Sequence, residues 1–135
     1  MALVIWTDKL SVGVKSIDEQ HTVLFETIND LHAAMMKGQA RSVIGDLLSG
    51  LLVYTRDHFS AEEEMLDSAQ YPGLHQHKIL HRLLTEQVED FVARQKRGEI
   101  TLSQDVSSFL SEWLTTHIQN EDQQYGPWMN DHGVR

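Results

Sequence analysis

The pairs His58-x-x-x-Glu62 and His77-x-x-x-His81 each set two metal-ligating side chains one helical turn apart on a single face. Either spacing alone arises often by chance. Here His21 and His117 accompany them, and all six residues fall where a helical protein puts its inward apolar stripe. A single inward histidine is most simply a hydrogen-bonded core residue. Six such groups in four stripes strain that explanation. An unpaired buried polar group costs about 1–3 kcal/mol, and a buried carboxylate costs more. Six of them would use up the roughly 5–15 kcal/mol of an ordinary domain. A shared buried metal centre satisfies them together, because metals take imidazole nitrogen and carboxylate oxygen as ligands. Iron, zinc and manganese all accept such donors, so ligand type alone does not choose among them. Asp122 follows His117 by five residues, which turns it off that face by roughly 140° in a regular helix. By spacing it is either a solvated acid near a helix end or a ligand swung inward by a π-type bulge.

The elements that must carry these groups can be read from apolar periodicity. Ile17, His21, Leu24, Ile28, Leu31 and Met35 step by 4 and 3, the seam of a bundle helix. A helix over about 16–37 is expected, opened by the capping-box spacing of Ser16 and Glu19 and closed at Gly38. A second is expected over 41–66, with stripe Ile44, Leu48, Leu51, Thr55, His58, Glu62 and Met65. After a Tyr71-Pro72-Gly73 turn, a third over 74–96 carries Leu74, His77, His81, Leu84, Val88 and Phe91. The fourth, over about 102–122, opens near Thr101 or Ser103 and carries Val106, Leu110, Trp113 and His117. It is expected to fray or break near Gly126-Pro127, leaving residues 123–135 as a tail. The short connections predict an all-α, antiparallel up-down-up-down four-helix bundle in one domain, residues 1–135, with residues 1–15 as an N-terminal arm anchored by Trp6. In that arrangement the six inward polar groups lie at one level.

Composition narrows the function classes. There is no cysteine, which excludes a disulfide scaffold, a thiolate site and a thiol nucleophile. The formal net charge of −9 disfavours binding to nucleic acid or an anionic membrane. No run approaches 18 apolar residues, so no membrane span is expected. The first residues lack a basic region of the signal-peptide kind, and the expected location is the cytoplasm.

The order His21, His58-x-x-x-Glu62, His77-x-x-x-His81, His117-x-x-x-x-Asp122 resembles the signature of the hemerythrin family. The arm Ile-Trp-Thr-Asp-Lys-Leu-Ser-Val-Gly, the segment Ile17-Asp18-Glu19-Gln20-His21 and Trp113-Leu114-Thr115-Thr116-His117-Ile118 extend the likeness over essentially the whole chain, and its length is similar to that of the single-domain bacterial type. The resemblance implies two irons. One would be held by His77, His81 and His117, the other by His21 and His58. Glu62 and Asp122 would bridge them with an oxo or hydroxo ion. That count leaves six ligands on one iron and five on the other, so a single open position for O2. Leu24, one turn beyond His21, and Trp113, one turn before His117, are expected to project over the cluster, and the resemblance implies that Phe59, Leu114 and Ile118 also line the cavity, which excludes water. Tyr125, three residues after Asp122, is a candidate hydrogen-bonding support. Glu63 and Glu64 are expected to turn outward, and His32, His75 and His132 to lie off the site.

The function so implied is reversible O2 binding for storage, transport or delivery, by a monomer that is not an enzyme, with an O2-consuming enzyme as a candidate receiver. The alternatives are O2 or redox sensing through a partner, and a peroxide- or NO-handling di-iron enzyme.

Overall fold

The computed structural model describes residues 4–98 and 104–135, and the side chains of 104–108 fall outside the description. Thr101 and Ser103, expected at the opening of the fourth helix, and the side chain of Val106 therefore lie outside it. The elements are a 3-10 turn Asp8–Leu10, then α1 (Lys15–Met36), α2 (Arg41–Ser68), α3 (Leu74–Lys96) and α4 (Gln104–His117), a π-turn Ile118–Asp122, and α5 (Gln123–Asp131). Helix α1 packs on α2 and α4, and α2 packs on α3. Phe91 on α3 meets Phe109 on α4 edge to face at 5.4 Å. The result is the expected antiparallel four-helix bundle. Its core is built from the stripes, with Ile17, Leu24, Ile28, Leu31, Leu48, Leu51, Val88 and Leu110 all buried. Among the described residues no helix is long and apolar enough to cross a membrane.

Helix ends follow local chemistry, with two departures from expectation. Gly38, at φ +66°, closes α1: its N–H donates to Met35 and that of Gln39 to Ala34. The same pair of bonds closes α2, but there the left-handed position is held by Gln70 at φ +55°. The opening of α1 is not the Ser16–Glu19 capping box. The residue before the first turn is Val14, and no side chain caps it. Asp18 is instead spent on the arm. Its carboxylate accepts from the Ser11 hydroxyl at 2.6 Å and from the Val12 N–H at 2.9 Å. Trp6 packs against Phe25 at 5.9 Å and against His21 at 6.4 Å, covering the α1 end of the bundle.

The second departure is α5. Residues 123–131 are helical straight through Gly126-Pro127, where fraying or a break was expected. Proline removes one backbone hydrogen bond and crowds the preceding turn. Tertiary contacts offset that loss. The Trp128 indole donates to the Ala69 carbonyl at 2.8 Å, the Asn130 amide to Gly13 at 2.9 Å, and the Gln123 amide to Lys9 at 2.7 Å. Gly126 permits the closest of these approaches, because a Cβ there would lie 2.4 Å from the Val12 carbonyl oxygen. Gly126→Ala is therefore expected to lift the arm. It should cost about 2 kcal/mol in chemical denaturation despite alanine's better helix propensity. A variant as stable as the parent would contradict this account of the arm.

Candidate metal centre

Each helix delivers its polar residues to the same layer. His21 comes from the first turns of α1, His58 and Glu62 from the last third of α2, His77 and His81 from the start of α3, and His117 from the end of α4. All are buried, as is Asp122. The π-turn decides the position of Asp122. By widening the helix across Ile118–Asp122 it takes up one extra residue, so the fifth position after His117 returns to the inner face. Of the two readings that spacing left open, the structure adopts the inward one: both Asp122 oxygens are fully buried.

The two carboxylates divide their oxygens. Glu62 Oε1 lies 2.7 Å from His77 Nε2 and 3.1 Å from His81 Nε2, while Oε2 lies 3.3 Å from His58 Nε2 and 3.7 Å from His21 Nε2. Asp122 Oδ1 lies 2.9 Å from His77 Nε2 and 3.1 Å from His117 Nε2, while Oδ2 lies 3.1 Å from His21 Nε2. The donors thus form two overlapping groups. One is His77, His81 and His117; the other is His21 and His58; Glu62 and Asp122 belong to both. Two donors about 2.1 Å from one ion and at right angles lie roughly 3.0 Å apart, and most of these separations are close to that. Neither ring nitrogen of His21 and neither oxygen of Asp122 has a hydrogen-bond partner among the described residues. Buried polar atoms are normally satisfied. A pair of cations among these donors fits the residues present.

The outer nitrogens are held as well. His81 Nδ1 lies 2.8 Å from Glu63 Oε2, and His58 Nδ1 lies 2.6 Å from Gln20 Oε1. Each acceptor favours the tautomer in which Nδ1–H donates to it, which leaves Nε2 unprotonated as a ligand. Glu63 was expected to face outward; it is half-buried and bonded to His81. It stands only 100° round the helix from Glu62, enough to reach across to α3. Gln20, the neighbour of His21, is reached in the same way from α2, and sequence reasoning assigned it no part. Tyr125 donates its hydroxyl to Glu62 Oε2 at 3.1 Å. Burial and the nearby Glu62 and Asp122 charges keep that hydroxyl protonated, well above the ordinary tyrosine range.

Of the five residues expected to line the cavity, Leu24, Leu114 and Ile118 are buried in the core, as are Phe59 and Trp113. Phe59 stacks flat on His81 at 3.7 Å and meets the rings of His58 and Trp113 at 5.7 and 6.2 Å. His75 and His132 are exposed, His32 is half-buried, and none belongs to either donor group.

Electrostatics ties the groups together before any metal arrives. Burial opposes charge on His21 and His77, but the Asp122 and Glu62 carboxylates outweigh it and raise them to about 9 and about 10. Burial pushes His58 down, against the pull of Glu62. Burial alone would raise both carboxyls, but the surrounding histidines hold Glu62 well below its usual range and Asp122 likewise depressed. Metal ligation needs deprotonated imidazoles. Loading the metal-free chain near pH 7 is therefore expected to release about two protons, those of His21 and His77, into an indicator dye. No release would contradict the assignment. For folding of the metal-free chain the signs are opposite. The raised histidines contribute fully below about pH 6.5, and their contribution is lost as pH rises through about 9 and 10. The depressed carboxyls contribute above the ordinary carboxylate range near pH 4, and theirs is lost in acid.

Comparison with known proteins agrees with this geometry. The family model of the hemerythrin HHE cation-binding domain matches residues 12–129. A bacteriohemerythrin of Stenotrophomonas maltophilia is 36% identical over 132 residues, covering 98% of this chain and 85% of the relative. A bacteriohemerythrin of Methylococcus capsulatus is 34% identical, covering 96% and 99%. A myohemerythrin of Theromyzon tessulatum is 31% identical, covering 89% and 88%. The fold matches a crystal structure of wild-type hemerythrin with a TM-score of 0.89 at 34% identity, over 93% of this chain and 97% of that one. With the family model spanning most of the sequence and these relatives spanning nearly all of it, the chain belongs to the hemerythrin family.

Proposed function

We propose that the protein binds O2 reversibly at a di-iron centre, with His77, His81 and His117 serving one metal position, His21 and His58 the other, and Glu62 and Asp122 spanning both. The observation that carries this reading is the division of the two carboxylates, one oxygen of each toward either histidine group. A ferrous pair held there would supply the electrons that O2 binding draws on. The chain's own residues do the rest. Gln20 and Glu63 fix the tautomers of His58 and His81. Tyr125 steadies Glu62. Leu24, Phe59, Trp113, Leu114 and Ile118 keep bulk water from the centre, which slows oxidation of the irons.

A carrier is favoured over an acid–base enzyme by one further observation. The buried titratable groups among the described residues are the seven donors and Tyr125, and Tyr125 and the half-buried Glu63 are both engaged in holding donors, Tyr125 on Glu62 and Glu63 on His81. Storage or delivery of O2 by a cytoplasmic monomer, with an O2-consuming enzyme as receiver, is the form of the proposal that fractionation and size-exclusion measurements address. The deciding experiment is an optical spectrum of the anaerobically reduced protein before O2, after O2 and after degassing. The expected result is a band that appears and then disappears over repeated cycles. Permanent oxidation in the first cycle would sink the carrier reading.

A further inference from the structure

Six buried side-chain atoms lack a hydrogen-bond partner among the described residues. Four belong to His21 and Asp122 and are explained by the metal centre. The remaining two are the Thr55 hydroxyl and the Trp113 indole N–H. Both residues lie in the layer next to the centre. Thr55 stands three residues before His58 on α2, and Trp113 stands four before His117 on α4. Phe59, one turn past Thr55, joins them, since its ring meets that of Trp113 at 6.2 Å.

The state of Thr55 is unusual for its type. A helical threonine readily turns its hydroxyl to the carbonyl four residues back. Thr22, Thr27 and Thr85 do this, bonding Asp18, Val23 and His81 at 3.0, 2.9 and 2.7 Å. Thr55 is fully buried and does not. Valine would fill the same space without the cost of an unsatisfied hydroxyl. The position therefore carries a polar atom that serves neither packing nor the backbone. An indole N–H is likewise donor-only and normally finds an acceptor when buried.

We propose that Thr55 and Trp113 are the hydrogen-bonding side of the ligand cavity, donating to a small diatomic or triatomic ligand that carries acceptor atoms. The inference rests on the metal-centre reading and on the ligand pocket proposed with it, and it adds a polar selectivity to a pocket whose other residues, Leu24, Phe59, Leu114 and Ile118, are apolar. Such a pair favours ligands that gain negative charge on binding over neutral ones of equal size, because donors strengthen with acceptor charge.

Azide, a triatomic anion, is the probe. It is titrated into the oxidised, iron-loaded full chain of the parent, Thr55→Val, Thr55→Ser and Trp113→Phe, with iron counted per chain and the metal-free forms melted alongside. Thr55→Val is expected to bind azide about five-fold more weakly with two irons retained. Thr55→Ser should stay within about two-fold of the parent, and Trp113→Phe should weaken binding by a similar factor to Thr55→Val. The metal-free Thr55→Val chain should melt no lower than the parent. Azide affinity within about two-fold in Thr55→Val overturns the proposal. So does loss of iron or a lower melting temperature in that variant, which would make Thr55 a packing residue. A parent chain that takes up no iron pair overturns the metal-centre reading itself, and the iron count shows this before azide is added.

Discussion

Glu62→Gln is expected to lower bound iron from two ions per chain to at most one and to abolish O2 binding. The substitution keeps the size of the side chain but replaces one carboxylate oxygen with an amide nitrogen and removes a negative charge. In the parent, one oxygen faces His77 and His81 and the other faces His58 and His21. Whichever end the amide nitrogen takes, one metal position loses a donor and gains N–H groups that cannot ligate. Loss of an outer hydrogen-bond partner already costs roughly 10- to 100-fold in metal affinity, and loss of a shared ligand should exceed that at one position. Asp122→Asn should behave alike, because Asp122 also faces both groups. Metal analysis after gel filtration reads the outcome. Two irons per chain in Glu62→Gln would remove Glu62 from the centre. Unchanged far-ultraviolet dichroism separates loss of metal from loss of fold.

Removing the metal is expected to lower the melting temperature by at least about 15 °C. The reasoning is again one of buried polarity. A bundle that inserts five imidazoles and two carboxylates into its core leaves donor atoms of His21 and Asp122 unsatisfied without cations. Ligand binding to the folded state alone stabilises it by about 4 kcal/mol per ion at a thousand-fold excess over the dissociation constant. Two ions at that saturation shift a domain of this size by well over 15 °C. Chelation followed by calorimetry measures the drop, and adding back ferrous iron should restore it. A drop under about 5 °C would mean that the histidine–carboxylate ion pairs alone satisfy the core.

The inward polar residues of α1 to α3 and His117 were legible before any coordinates, because a regular helix repeats its inner face every 3.6 residues and a polar residue on that face is conspicuous. Spacing left Asp122 open between two readings, and only the family resemblance chose the inward one, because the π-turn shifts the phase of the helix and periodicity assumes that phase is constant. Gln20 and Glu63 escaped for a related reason. Periodicity turns a residue adjacent to an inward position away from the core, and only the neighbouring helix shows that a histidine ring comes to meet it.

The helical stripes, the turn at Tyr71-Pro72-Gly73, the polar layer and hence a buried metal centre all follow from local spacing and the cost of burying polar atoms, and needed no knowledge of how the helices pack. Packing between helices settled the inward turn of Asp122 that spacing had left open, the helix that persists through Pro127, the arm held by Asp18 and seated on Gly126, and the outer partners of the ligand histidines. Apart from the short-range bonds of Asp18 to Ser11 and Val12, these depend on contacts between segments far apart in the chain, and the free energy of such contacts exceeds the local preferences that the sequence displays.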